Sequence, residues 1–285
     1  MRGFVEEFFF TNETVRIYNA SMQGIRTLKI VTGSLRAISL PTLRIPFGNP
    51  EEPKKEELVQ WGIKIFEFSL IAHIQKILAG LVQLAEAENV AASAPVCRHV
   101  FEWAALSCFL TSKFTDQFKW QDWEEAWKLL TKVTQGSLWN RIHGTKYAGI
   151  PPTTPSIDCP TPVYIPEAVK EYEYYQSSNS KYADARDNYS FLCDFAHANA
   201  ACLQRYYEYE ENGVVVRFID PDLDPQGKSF LPFVNCCLID LLTFGYELLG
   251  LANESEVRPK ILVVRNELAR LAPARLTGSI PDLHL

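Results

Sequence analysis

One sequence feature constrains this chain more than any other: apolar residues that recur every three or four positions over long stretches. Ile63, Phe66, Leu70, Ile74, Ile77, Leu81 and Leu84 follow that spacing without a break. It places them on one side of an α-helix. A stripe of that length must be covered by other helices or by a sheet. Glu56 and Glu57 lie where the positive end of the helix dipole favours acid. The spacing therefore predicts a helix over about 56–92. Ser93-Ala94-Pro95 breaks it, with Pro95 in the first turn of a second helix that runs to about 114. Further helices are expected over about 120–143, 166–177, 181–211, 229–251 and 256–271. Val214 to Phe218 reads as a short strand or extended piece. The pattern predicts an all-α fold, a multi-helix up-and-down bundle with short connections.

The first fifty residues read differently. Thr27-Leu28-Lys29-Ile30-Val31 and Leu35-Arg36-Ala37-Ile38-Ser39-Leu40 alternate and contain β-branched residues around Thr32-Gly33-Ser34. They suggest a small extended or β element near the N-terminus. The domain reading is accordingly an N-terminal extended or β-like arm over 1–55 and a helical bundle over 56–285. Six of the seventeen prolines fall between Gly144 and Pro166. That segment reads as a surface loop at 144–166 rather than a linker, because the helices on both sides carry too much apolar surface to stand alone.

Composition sets the class. The chain has 285 residues, 47% of them hydrophobic, and a net charge of −6. This is the balance of a soluble globular protein, and it argues against a surface coated by nucleic acid. Acidic Glu6 and Glu7 interrupt any apolar leader, and the seven cysteines form no CxxC pair. The cysteines read as reduced core thiols without zinc spacing, and the location as cytoplasmic. Two segments, 63–82 and 230–251, are apolar enough to raise the question of a membrane. Lys64, Glu67, His73 and Lys76 in the first and Asp240 and Glu247 in the second oppose insertion, since a charge near a bilayer centre costs about 2.5–3.5 kcal/mol. Both read as central buried helices, and a membrane is not expected as a partner.

No Walker loop, Rossmann glycine fingerprint, GxSxG elbow or HExxH motif is present. Neither a cofactor nor a metal is expected. Two polar constellations remain. Arg98 and Glu102 are four residues apart and share a helix face, beside His99. They are either an ion pair that sets helix register or half of a site. Ser190, Asp194 and His197 share one side of a later helix. There His197 could serve as general acid or base with Asp194 orienting its ring, or simply be a hydrogen-bonded core histidine. Trp120, Trp123, Trp127 and Trp139 read as core packing rather than as base-stacking platforms. The last helix is basic and amphipathic. Its stripe Val257, Ile261, Val264 and Leu268 either caps the bundle or forms a dimer seam.

These residues carry a resemblance. Arg98-x-x-x-Glu102 on one helix, with Tyr189-x-x-Leu192 leading into Asp194-x-x-His197-x-Asn199 on another, resembles a group of uncharacterised bacterial helical proteins. That group pairs an R-x-x-x-E helix with a Y-x-x-L-S-x-x-x-H-x-N helix, and it is similar in outline to the HEPN superfamily of helical bundles. The likeness covers about 56–251. It implies a helical bundle, RNA as the partner, and a metal-independent ribonuclease of a defence or toxin type. In that reading His197 moves the proton, Arg98 stabilises charge on the phosphate, and Glu102 or Asp194 positions them. The chain departs from the HEPN nuclease spacing of Arg, four to six residues, then His. Its nearest arrangement is Arg186 to His197, with Cys193 where the similar proteins have Ser. A non-catalytic interaction module is the reading that competes.

Overall fold

In the computed structural model the stripe from Ile63 to Leu81 lies on the inner side of one unbroken helix. The structure describes residues 12–43, 54–87, 89–143, 165–179, 189, 192–193, 207–209, 216–218 and 230–271. Among them the helices are α1 (Asn12–Arg36), α2 (Lys55–Glu86), α3 (Val90–Lys119), α4 (Trp123–His143) and α5 (Ile165–Asn179), followed by α6 (Phe230–Leu251) and α7 (Arg258–Leu271). A two-stranded antiparallel ladder, β1 (Tyr207–Tyr209) and β2 (Val216–Phe218), pairs Glu208 with Arg217 between α5 and α6. The protein is a helical bundle.

α3 and α6 are the centre. α3 packs on α6 and α5, α7 packs on α6, and α1 rests on α2, α6 and α7. α6 buries Leu231, Val234, Leu238, Leu241 and Leu248. Phe101 and Phe114 of α3 are fully enclosed. α2 and the stretch Phe233–Leu251 are long and apolar enough to cross a membrane by length and composition. About half of the first and two thirds of the second are buried inside the bundle. Exposed ion pairs, Lys29 with Glu86 and Lys55 with Glu124, join α1 to α2 and α2 to α4. Pairs so open to water add little stability.

The N-terminal expectation is corrected. Residues 27–36 are the end of α1, not strands, and they belong to the bundle rather than to a β-like arm. Leu28, Val31, Leu35 and Ile38 recur at helical spacing and are all buried, whereas Ile30 is exposed. The Thr32 hydroxyl donates to the Leu28 carbonyl at 2.6 Å, so even this β-branched residue is satisfied within the helix.

Three boundaries move as well. α2 ends at Glu86, and α3 begins at Val90 with Pro95 inside it. Asn89 is the reason: its side chain accepts from the Ala92 N–H at 2.9 Å and caps the helix ahead of the proline. The helix expected over 181–211 cannot reach its end, because 207–209 is extended and paired. The proline-rich segment 144–164 lies outside the described residues.

The stripe Val257, Ile261, Val264 and Leu268 is no free seam. All four side chains are buried in the chain's own core, through the contacts of α7 with α6 and α1. Glu254 fixes the entry to this helix. One of its carboxylate oxygens accepts from the Val257 and Arg258 N–H groups at 2.7 and 2.8 Å. The carboxylate thereby caps α7 and complements its dipole.

Candidate functional site

α3 carries its chemistry on the side away from Phe101 and Ala104. Arg98 and Glu102 are one turn apart, and Arg98 Nε donates to Glu102 Oε1 at 2.8 Å. Both side chains are about four-fifths buried, at 21% and 20% exposure. Burial opposes the Arg98 charge, but the neighbouring Glu102, Cys193 and Tyr189 together outweigh it, and the guanidinium is held more firmly protonated than usual.

One residue of the second stretch, Tyr189, lies at this face. Tyr189 Oη donates to Glu102 Oε1 at 3.2 Å. The Arg98 guanidinium lies 5.7 Å from the Tyr189 ring centroid. That ring stacks on Phe101 at 4.7 Å, and Phe101 in turn stacks on Phe233 of α6 at 5.7 Å. Leu192 is fully buried, as the spacing Tyr189-x-x-Leu192 expects. Burial, then the neighbouring Glu102 carboxylate, pushes the Tyr189 phenol up to about 12, so it stays a hydrogen-bond donor. Arg98 and Glu102 are thus brought together with Tyr189. Asp194 and His197 lie outside the described residues.

Sequence reasoning missed a neighbour of this pair. His73 of α2 meets His99 of α3, with their Nε2 atoms 3.0 Å apart. Trp103 Nε1 donates to the same His99 Nε2 at 3.0 Å. On the other side of the ring, His99 Nδ1 is 4.0 Å from Glu102 Oε2. Indole can only donate, so His99 Nε2 carries no proton and the neutral ring holds its hydrogen on Nδ1, toward Glu102. Burial, and then the His73 ring, lowers the His99 pKa. The contact with Glu102 is therefore not an ion pair at neutral pH. The signal for part of this cluster was local, since His99 and Trp103 are four apart. His73 gave none, because its partner is 26 residues away.

Two further titratable groups lie in the core, away from this face. Asp240 of α6 accepts from Tyr172 Oη at 2.7 Å and from Gln176 Nε2 at 3.3 Å. Burial pushes it up to about 6 against those hydrogen bonds. Glu67 of α2 is buried opposite Gly245. Cys97, Cys108 and Cys237 are buried free thiols, and Cys236 is buried beside them. Among the described residues no group of three or more His, Cys, Asp or Glu gathers to hold a metal.

The arrangement offers a fixed cation, a positioned carboxylate and a neutral imidazole within one or two turns of α3. It can bind an anion and exchange a proton beside it. Comparison with protein-family models, curated proteins and solved structures returns no significant match to this chain.

Proposed function

We propose that this chain is an RNA-directed protein of HEPN-like helical type, in which the Arg98 face of α3 engages a phosphodiester. One observation carries the reading: Tyr189, from the stretch that leads to His197, hydrogen-bonds the Glu102 carboxylate that also holds Arg98. Tyr189, the first residue of one motif half, thus touches the Arg98–Glu102 half through a phenol, a carboxylate and a guanidinium. In this mechanism the ribose 2′-hydroxyl attacks the neighbouring phosphorus. Its proton passes to a neutral imidazole, and the departing 5′-oxygen takes a proton back. Arg98 stabilises the charge that grows on the phosphoryl oxygens. Glu102 orients the guanidinium, His197 is the acid–base group, and Asp194 positions it. RNA as the target goes with a cytoplasmic place of work.

The test is cleavage of a labelled single-stranded RNA by the full chain without added metal. His197→Ala is expected to slow cleavage by about 10²–10⁴-fold, the usual worth of general acid–base catalysis. Arg98→Lys keeps the charge but loses the planar fork, and is expected to fall in rate while the melting temperature holds. Full activity in His197→Ala refutes the assignment.

A second reading rests on the four-fifths burial of Arg98 and Glu102. There the Arg98–Glu102–Tyr189 junction is a latch that sets how Tyr189 docks on α3, in a non-catalytic interaction module. No RNA cleavage or binding by the wild type, together with a large loss of stability in Arg98→Ala, selects it.

A further inference from the structure

His99 is held neutral by the neighbours of one ring nitrogen and faces a carboxylate with the other. Its Nε2 accepts from the Trp103 indole at 3.0 Å, and His73 Nε2 of α2 meets the same atom at 3.0 Å. The indole can only donate, so His99 Nε2 presents a lone pair, and His73 donates its own Nε2–H there. Two donors thus share one acceptor at the edge between α2 and α3. Trp103 is further seated against α2, 6.2 Å from the Phe66 ring and 6.0 Å from the His73 ring.

A proton on His99 Nε2 turns that acceptor into a donor. Trp103 has no lone pair to offer in return and must leave. His73 can stay only by moving its hydrogen to Nδ1, so the indole departs in either case. The proton has direct access: the His99 side chain is 44% exposed and His73 is exposed. On the other side of the ring, Nδ1 lies 4.0 Å from Glu102 Oε2. Oε1 of that carboxylate holds Arg98 and Tyr189 at 2.8 and 3.2 Å. A charged His99 therefore becomes a second cation on a carboxylate that Arg98 otherwise has to itself. The charged groups acting on His99 are His73 from α2 and Glu102 and Arg98 from α3. Glu102 alone favours the proton, whereas burial, His73 and Arg98 oppose it, and the ring's pKa falls below 6.5.

We propose that His99 is an acid-operated switch at the α2–α3 edge: neutral, it holds the Trp103 indole; protonated, it releases the indole and engages Glu102 beside Arg98. The switch acts on the carboxylate of the face assigned above to a phosphodiester, but it rests on no RNA chemistry, and its readouts need no RNA.

The test is a titration of the isotope-labelled full chain from pH 8 to pH 4.5, followed by two-dimensional NMR of its imidazole and indole signals. Five histidines and six tryptophans keep the spectra simple, and His73→Gln, His99→Gln and Trp103→Phe assign the three signals that matter. His99 is expected to titrate below 6.5, and the Trp103 indole N–H to shift with the same midpoint. Helical circular dichroism is expected to stay constant over that range, so that the change is local. Trp103→Phe removes one hydrogen bond to the neutral ring and is expected to raise the His99 midpoint by about 0.4–1 pH unit. A histidine held neutral by burial alone would not respond in this way. Should Trp103→Phe lose helicity, His73→Gln serves instead, and it too is expected to raise the midpoint, because the opposing His73 ring is gone. An indole signal that does not follow the His99 titration overturns the switch. So does a His99 midpoint at or above 6.5, a midpoint unmoved in these variants, or loss of helicity at the same pH.

Discussion

Replacing Glu67 with Gln should change how the stability of this protein depends on pH. Glu67 lies on α2 at 2% exposure, and its Oε1 has no hydrogen-bond partner among the described residues. It borders a cavity of about 20 Å³ lined by Leu35, Leu70, Ile71, Leu241 and Gly245. Burial pushes its carboxyl from 4.5 up to about 8. The folded chain therefore keeps the proton at pH 7 while the unfolded chain releases it. The group's contribution to stability is fully present below about pH 4.5 and is lost as the pH rises through about 8. Each pKa unit is worth about 1.4 kcal/mol, so between pH 4 and pH 7 the wild type loses about 3 kcal/mol through this residue alone. Gln has nearly the same shape and cannot ionise. Its buried amide adds a cost of about 1–3 kcal/mol, but the same cost at every pH. Urea denaturation from pH 4 to pH 8, followed by circular dichroism, should show Glu67→Gln gaining about 3 kcal/mol relative to wild type across pH 4–7. Asp240 shifts in the same direction but is present in both proteins, so it cancels in the difference. Parallel stability curves would refute the reasoning, for they would mean that Glu67 is ionised and solvated in the native state.

Three other perturbations have defined outcomes. A Cβ at Gly62 would drive into the Leu130 side chain, so Gly62→Ala should force α2 and α4 apart and cost about 1–3 kcal/mol, read as a lower urea midpoint at unchanged slope. Glu254→Ala removes the cap of α7 and should cost about 1–2 kcal/mol, with faster amide exchange at Val257 and Arg258 in particular. Tyr172→Phe takes from Asp240 the hydrogen bond that favours its charged form. It should therefore destabilise more at pH 8, where Asp240 is ionised, than at pH 5, where it is neutral, and equal losses at the two pH values would contradict this.

Core and surface polar groups play different parts in this bundle. The Asp240–Tyr172–Gln176 set joins α5 to α6 in the interior, where a lost partner is costly. The Arg98–Glu102–Tyr189 set joins α3 to Tyr189 at an edge where about a fifth of the Arg98 and Glu102 side chains stays exposed, 21% and 20%. That difference in access is why the candidate site is assigned to the second set.

By itself the sequence determined the long helices. The stripes of α2, α6 and α7 are local, and their spacing allows only one regular conformation. It also determined the Arg98–Glu102 pair, because four residues is one helical turn. Tertiary structure decided the rest. The 27–40 stretch alternates well enough to read as strands, and only the neighbours α2, α6 and α7 turn Leu28, Val31, Leu35 and Ile38 into a single buried face. The α7 stripe was legible as apolar, but whether a second copy or the chain itself covers it depends on the packing of α6 and α1. His73 meets His99 across 26 residues and Tyr189 meets Glu102 across 87, through helix register that no local pattern encodes. The physical reason is common to all of them: spacing along a helix is a property of the backbone, whereas contact between helices depends on how their side chains interlock.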